Sequence, residues 1–292
     1  MSRPDPAGVA PVDPPRHLVR EAVTRAIAED LGPLGDITAA LLPADAHATA
    51  DVVVRAHGVL AGSACATEAF AQIDPQVDVE WRMGDGSAVS EKEIVATVGG
   101  SLRSILTAER TALNFLCHLS GVASATRRFV DALHGGAHVA DTRKTLPGLR
   151  ALEKAAVRAG GGVNHRGSLS DMVLVKDNHL GRLGIAEAVE RARSLWPGRG
   201  VEVECERVEQ VVEALEAGAD VVMLDNMTPV DAAGCVAVVR GSAHPDVLVE
   251  LSGGVTLENI HAYADAGVDV VSTSAITQSA PALDIALDLR LP

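Results

Sequence analysis

Aromatic side chains are nearly absent from this chain of 292 residues: two Trp, one Tyr and three Phe. That scarcity argues against nucleic-acid platforms that stack bases on rings, and a formal net charge of −14 argues against a general polyanion binder. Cysteine is sparse too. Cys65, Cys117, Cys205 and Cys235 form no CxxC pair and sit at no zinc-ligand spacing, so they read as buried, reduced thiols. No apolar run approaches the ~20 residues that span a bilayer. The opening MSRPDPAGVAPVDPPRH has no apolar core of the kind a secretory leader needs, and its prolines predict a disordered leader over 1–15. The expectation is a soluble, cytoplasmic protein with no membrane or nucleic-acid partner.

Small aliphatic residues, by contrast, are abundant. Hydrophobic residues make up 47% of the chain, and with so few rings the core must be built from Ala, Val, Leu and Ile, which suits parallel strands covered by helices. Helical spacing of Leu18, Val19, Ala22, Val23, Ala26 and Ile27 predicts a first helix over 16–31, stopped by Gly32, Pro33 and Gly35. GDIT (35–38) is expected to open an extended region. Strands are predicted at 48–56 and 93–98, with Met83 to Gly86 as a turn between them. Residues 16–124 therefore read as a small α+β domain. A long helix from about Thr107 to Leu133 would link it to the rest, with Glu109 and Arg110 in its first turn. Glu109 suits the helix dipole there and Arg110 does not.

From residue 137 the pattern alternates. Strands are predicted to start near Ala137, Met172, Val201, Ala219, Val247 and Val268, with helices over 149–159, 184–195, 207–217, 229–240 and 256–266. Six such units without a GxGxxG turn favour a β/α barrel over a dinucleotide-binding sheet, and place that domain at 125–275. Chemistry in such barrels sits at the C-terminal strand ends. Those ends carry Asp141-Thr142-Arg143-Lys144, Lys176-Asp177-Asn178-His179, the alternating Glu202, Glu204 and Glu206, Asp225-Asn226, Ser252-Gly253-Gly254 and Thr273-Ser274-Ala275. Strand ends are polar wherever they enter loops, but that accounts poorly for so many charged ends together.

Residues 141–179 hold seven Lys and Arg against four acids, a cationic island in an acidic chain that points to an anionic ligand. Arg143, Lys144, His165, Arg166 and Lys176 would make a pocket for several negative groups, although any one alone reads as a solvated cation. Arg150, Lys154 and Arg158 lie on one helix face, where a solvated face is at least as good a reading. Gly160 to Gly162 would free the backbone to bring Asn164, His165 and Arg166 inward. His165 is expected to donate to an anion, not to hold zinc, because no second His or Cys lies at ligand spacing. His179 reads as a cap. Ser252, Gly253 and Gly254 before a helix suit a phosphate, with Thr273 and Ser274 beside them. Glu204 and Asp225 could face ribose hydroxyls or Mg2+, or form structural ion pairs.

Several stretches together resemble the quinolinate phosphoribosyltransferase family: TAERTALN (107–114), LSGVA (119–123), DTRKTLPGLR (141–150), GGGVNHR (160–166) and KDNH (176–179). The likeness runs from Glu29 to the C-terminus. It implies an N-terminal α+β sandwich domain, completed by the tail at 276–292, and an incomplete β/α barrel. It implies transfer of phosphoribose from phosphoribosyl pyrophosphate (PRPP) to quinolinate with loss of CO2, Mg2+ as cofactor, and a homodimer or higher oligomer. Arg110 would then reach the neighbouring subunit's site. Thr142, Arg143, Lys144, His165, Arg166 and Lys176 would line the quinolinate and pyrophosphate pocket, and Glu204 and Asp225 would face ribose and metal. Ser252 to Gly254 and Thr273 to Ala275 would hold the 5′-phosphate. Lys144, Lys176, Glu204 and Asp225 are the catalytic candidates, with Mg2+ held mainly through PRPP. The chain departs from the family at Ser274, often Gly, and Gln278, often His. Two rivals stay open: a barrel aldolase or isomerase with Lys176 as Schiff-base lysine, and a non-enzymatic anion-binding protein.

Overall fold

The computed structural model describes residues 13–290. Most of the expected leader, residues 1–12, lies outside them. In chain order the elements are α1 (Arg16–Leu31), β1 (His47–Val54), β2 (Gly58–Val59), α2 (Ser63–Ile73), β3 (Asp78–Trp81), β4 (Ala88–Val89), β5 (Ile94–Ser101) and α3 (Leu102–Ala132). Then come β6 (His138–Ala140), α4 (Arg150–Ala159), β7 (Val173–Val175), α5 (Asp177–Leu180), α6 (Ile185–Leu195), β8 (Val201–Cys205), α7 (Val208–Glu216) and β9 (Val221–Asp225). The chain closes with α8 (Pro229–Gly241), β10 (Leu248–Ser252), α9 (Ile260–Asp265), β11 (Val270–Ser272) and β12 (Ile285–Arg290).

Two compact units result. Among the described residues, the first comprises 13–127, 145–161 and 276–290; the second comprises 128–144 and 162–275. Helix α4 thus groups with the first unit although it follows β6 in the chain. No helix of the described residues is long and apolar enough to cross a membrane.

The first unit holds an antiparallel sheet in the order β12-β1-β5-β3, and a two-stranded ribbon, β2-β4. Ala50, Val52 and Val54 of β1 alternate into the core, as a half-buried strand requires. Asp51, on the other face, accepts two bonds of 2.6 Å from the Arg290 guanidinium, which fastens β12 to β1. GDIT is not extended. Oδ1 of Asp36 accepts from the Thr38 and Ala39 N–H groups and caps a short 3₁₀ turn, while its Oδ2 accepts from the Thr107 hydroxyl. Those bonds, the one from Ala39 foremost, hold the Asp36 carboxyl below its usual pKa. Helix α3 begins at Leu102, so Glu109 and Arg110 lie beyond its first turn and the helix-dipole reading of Glu109 does not apply. Cys117 is half-buried; the other three cysteines are buried, and all four are free.

The second unit is a parallel sheet in the order β6-β11-β10-β9-β8-β7. Its first strand joins its last, as in a barrel, but among the described residues no ladder pairs β6 with β7. The gap beside β6 is entered by Val163, which bridges Ala140 in parallel fashion: Val163 N–H donates to Val139 O, and Asp141 N–H to Val163 O. This is an incomplete β/α barrel. All five residues of β8, VEVEC, are buried, which leaves two glutamates inside the sheet layer.

Candidate active site

Because the six strands are parallel, their C-terminal ends share one edge, and the polar ends read from the sequence gather there. Register sets Ser252 beside both Asp225 and Ser272, and Glu204 beside Met223. After β6, the Thr142 hydroxyl accepts from Lys144 N–H and turns the chain, leaving Lys144 exposed. Arg143 and Arg166 lie close enough for their charges to oppose each other: burial first, and Arg143 second, lower the pKa of Arg166. Two guanidiniums whose charges oppose each other favour an anion near them.

The segment after the three glycines is fixed through Asp141. This acid is 0% exposed; it accepts from Asn164 Nδ2 at 2.7 Å and from His165 N–H at 2.8 Å. The His165 ring meets protein groups on both sides. Its Nε2 lies 3.0 Å from Glu202 Oε2 and 3.5 Å from Glu250 Oε2, and its Nδ1 accepts from Arg166 N–H at 2.7 Å. Burial pulls the His165 pKa down, but the two glutamates outweigh it and raise the pKa overall. Burial, then the Glu202 charge, holds Glu250 above the usual carboxylate range. The three ligand atoms of His165, Glu202 and Glu250 lie within 4.8 Å of one another.

Lys176 forms an ion pair between its Nζ and Glu204 Oε2. A Schiff-base lysine needs a neutral amine, so an ammonium engaged by a buried carboxylate disfavours the aldolase reading. The short helix α5 begins with Asp177, and His179 Nδ1 accepts from Lys176 N–H at 2.9 Å, which makes His179 a cap. At the end of β9, Asn226 takes a left-handed φ of 53°. Its Nδ2 donates to Asp225 Oδ2 at 2.9 Å, and its N–H donates to Ser252 O at 2.9 Å, so one residue ties the acid to the glycine loop. Gly253 and Gly254 have φ of +88° and +66°, values that favour glycine. The loop does not run straight into a helix as expected, because α9 starts only at Ile260; Asn259 instead braces it by donating to Gly254 O and accepting from Thr256 N–H. Thr273 N–H donates to Ala140 O, and Ala275 N–H donates to the Thr273 hydroxyl. The Ser274 position adjoins these.

Two sequence expectations fare differently. Lys154, on the helix face read as solvated, is buried, and its neighbour Glu153 is fully buried, accepting from His118 Nε2 at 2.9 Å. Arg110 lies in the first unit and is exposed.

Residues 36–120 match the family model for the N-terminal domain of quinolinate phosphoribosyl transferase, and residues 122–288 match the model for its C-terminal domain. The chain belongs to this family. Among its relatives, the nicotinate-nucleotide pyrophosphorylase [carboxylating] of Mycobacterium leprae is 43% identical over 92% of this chain and 96% of its own. A quinolinate phosphoribosyltransferase [decarboxylating] of Nicotiana glauca is 38% identical over 95% of this chain and 85% of its own. Among solved structures, the nicotinate-nucleotide pyrophosphorylase from Francisella tularensis superposes with a TM-score of 0.89 at 39% identity, covering 94% of this chain and 97% of that one.

Proposed function

We infer that the chain is a decarboxylating quinolinate phosphoribosyltransferase. It transfers phosphoribose from PRPP to quinolinate and releases pyrophosphate and CO2, giving nicotinate mononucleotide for NAD biosynthesis. The observation that carries this reading is that Arg143, the Lys176–Glu204 pair and the two left-handed glycines all follow strand ends on one edge of a single parallel sheet. A dicarboxylate, a pyrophosphate and a 5′-phosphate need that combination.

In the proposed mechanism Arg143 and Arg166 fork onto the two carboxylates of quinolinate, so nicotinate, with one, binds poorly. Thr142 and Lys144 face the pyrophosphate, and Ser252 to Gly254 with Thr273 to Ala275 hold the 5′-phosphate through backbone N–H groups. Glu204 and Asp225 face the ribose. They are hard oxygen donors on neighbouring strands, a set that fits Mg2+, which when bound would neutralise part of the pyrophosphate charge. As the bond from ribose C1 to pyrophosphate breaks, the cations take up the departing charge, and the pyridine nitrogen attacks C1. The ring C2 carboxylate then leaves as CO2. Its electron pair stays on C2, stabilised by the positive nitrogen, until a proton arrives. Catalysis is positioning and electrostatics, with no protein nucleophile.

The assembly is a homodimer or a multiple of one, with Arg110 delivered to the partner's pocket. Leu34, Ile37 and Leu41 support this: they are 82%, 67% and 84% exposed, on a loop that Asp36 fastens to Thr107, one helical turn before Arg110. Such an apolar patch beside an exposed arginine suits a second copy. The free thiols suit the cytoplasm. Mixing Arg110→Ala and Arg143→Ala subunits tests the shared site. Each variant alone should be inactive and the mixture partly active; a mixture as inactive as its parts overturns the shared site.

A further inference from the structure

Two acids inside the parallel sheet have no part in the chemistry above. Glu202 on β8 is 0% exposed and Glu250 on β10 is 4% exposed. Burying a carboxylate is costly unless it is paired. The partner both approach is His165, and the remaining oxygen of each acid, Oε1, has no hydrogen-bond partner.

Three such ligand atoms together resemble a metal site. The ring tautomer decides against it. A backbone N–H can only donate, and Arg166 N–H donates to His165 Nδ1. Nδ1 therefore carries no proton, and the ring proton sits on Nε2, facing the glutamates. A metal at Nε2 would need the lone pair that this proton occupies. Both ring nitrogens are thus engaged within the protein, and neither is left for a substrate carboxylate.

We propose that Glu202 and Glu250 are positioning residues that act through His165 on Arg166. Glu202 accepts Nε2–H while Glu250 stands 3.5 Å away as a second negative charge, Nδ1 holds the Arg166 N–H, and Asp141 holds the His165 N–H and the Asn164 amide. The segment 164–166 is so fixed, and with it the backbone from which the Arg166 side chain springs. His165 is then a strut, not a donor to quinolinate. This rests on the assignment of Arg166 to the quinolinate carboxylates.

The test uses the whole chain and separate KM values for quinolinate and PRPP. Glu202→Leu should raise the quinolinate KM about tenfold or more while leaving the PRPP KM within about twofold. Glu202→Gln should stay within about threefold, because its amide oxygen still accepts Nε2–H. Arg166→Ala should raise the quinolinate KM at least as much as Glu202→Leu. If Arg166→Ala raises it and Glu202→Leu does not, the positioning role alone fails. An equal rise of both KM values in Glu202→Leu also overturns it, since general damage would do that. An unchanged quinolinate KM in Arg166→Ala overturns the pocket assignment beneath it. Should the leucine variant not fold, imidazole 15N spectra of the unaltered protein decide. A protonated Nε2 with a bare Nδ1 is expected; a protonated Nδ1 or a metal-bound Nε2 refutes the proposal.

Discussion

Replacing Gly253 by alanine should damage PRPP binding, with some cost to the fold. At φ +88° an alanine is strained by about 1–2 kcal/mol. Its Cβ would also fall 2.3 Å from Asn226 Oδ1, 2.7 Å from Asn226 Cγ and 3.2 Å from the Asn226 backbone nitrogen. Side-chain rotation of Asn226 can relieve the first two contacts but not the third, and overpacking of this kind costs about 1–3 kcal/mol more. The same rotation takes Nδ2 away from Asp225. The added methyl therefore disturbs the phosphate loop and the ribose-facing acid together. Carried into PRPP binding, the two costs together, about 2–5 kcal/mol, correspond to roughly 30-fold to 4,000-fold in KM. Steady-state kinetics with PRPP varied at saturating quinolinate would measure it, with thermal melting alongside. A Gly253→Ala protein whose PRPP KM stays within about twofold of the parent would refute the role given to this loop.

Gly121 lies within α3, and a methyl there would sit 2.2 Å from Pro281 O and 2.9 Å from Ala282 Cα. Backbone cannot step aside cheaply, so Gly121→Ala should lower Tm by roughly 5 °C, despite alanine's better helix propensity; an unchanged Tm contradicts the packing of the 281–282 segment on α3. Asp36 has a lowered folded pKa, so its contribution is present above the unfolded pKa and is lost as pH falls through the folded value. Asp36→Asn should therefore be less stable at neutral pH, by about 1 kcal/mol for a lost cap. It should also lose stability less steeply below about pH 4, as denaturant titrations at several pH values would reveal.

Hydrophobic periodicity was enough to find the six parallel strands and the first helix, because buried runs of Val and Leu bounded by glycine have few other readings. Helix α2 was missed: SACATEAFAQI is Ala-rich, and of its buried face, Cys65, Ala66, Ala69 and Phe70, only Phe70 is a large apolar side chain. GDIT was misread because Asp36 captures two backbone N–H groups and a distant hydroxyl, bonds that leave no trace in local spacing. The cations of the site were legible from charge excess and strand-end position. Their supports were not. Glu202 was noticed only as part of an alternation, Glu250 had no assigned role, and Asp141 was counted only as a charge at the end of a strand. Residues 165, 202 and 250 converge from a loop and two strands, and no spacing rule links them.

The central claim is tested most directly by supplying quinolinate, PRPP and Mg2+ to the purified protein and measuring CO2, pyrophosphate and nicotinate mononucleotide in one experiment. The three products should appear in equal amounts. Nothing should form when PRPP or Mg2+ is omitted, or when nicotinate replaces quinolinate. Quinolinate bound without CO2 release, or CO2 released without pyrophosphate, would contradict the assignment.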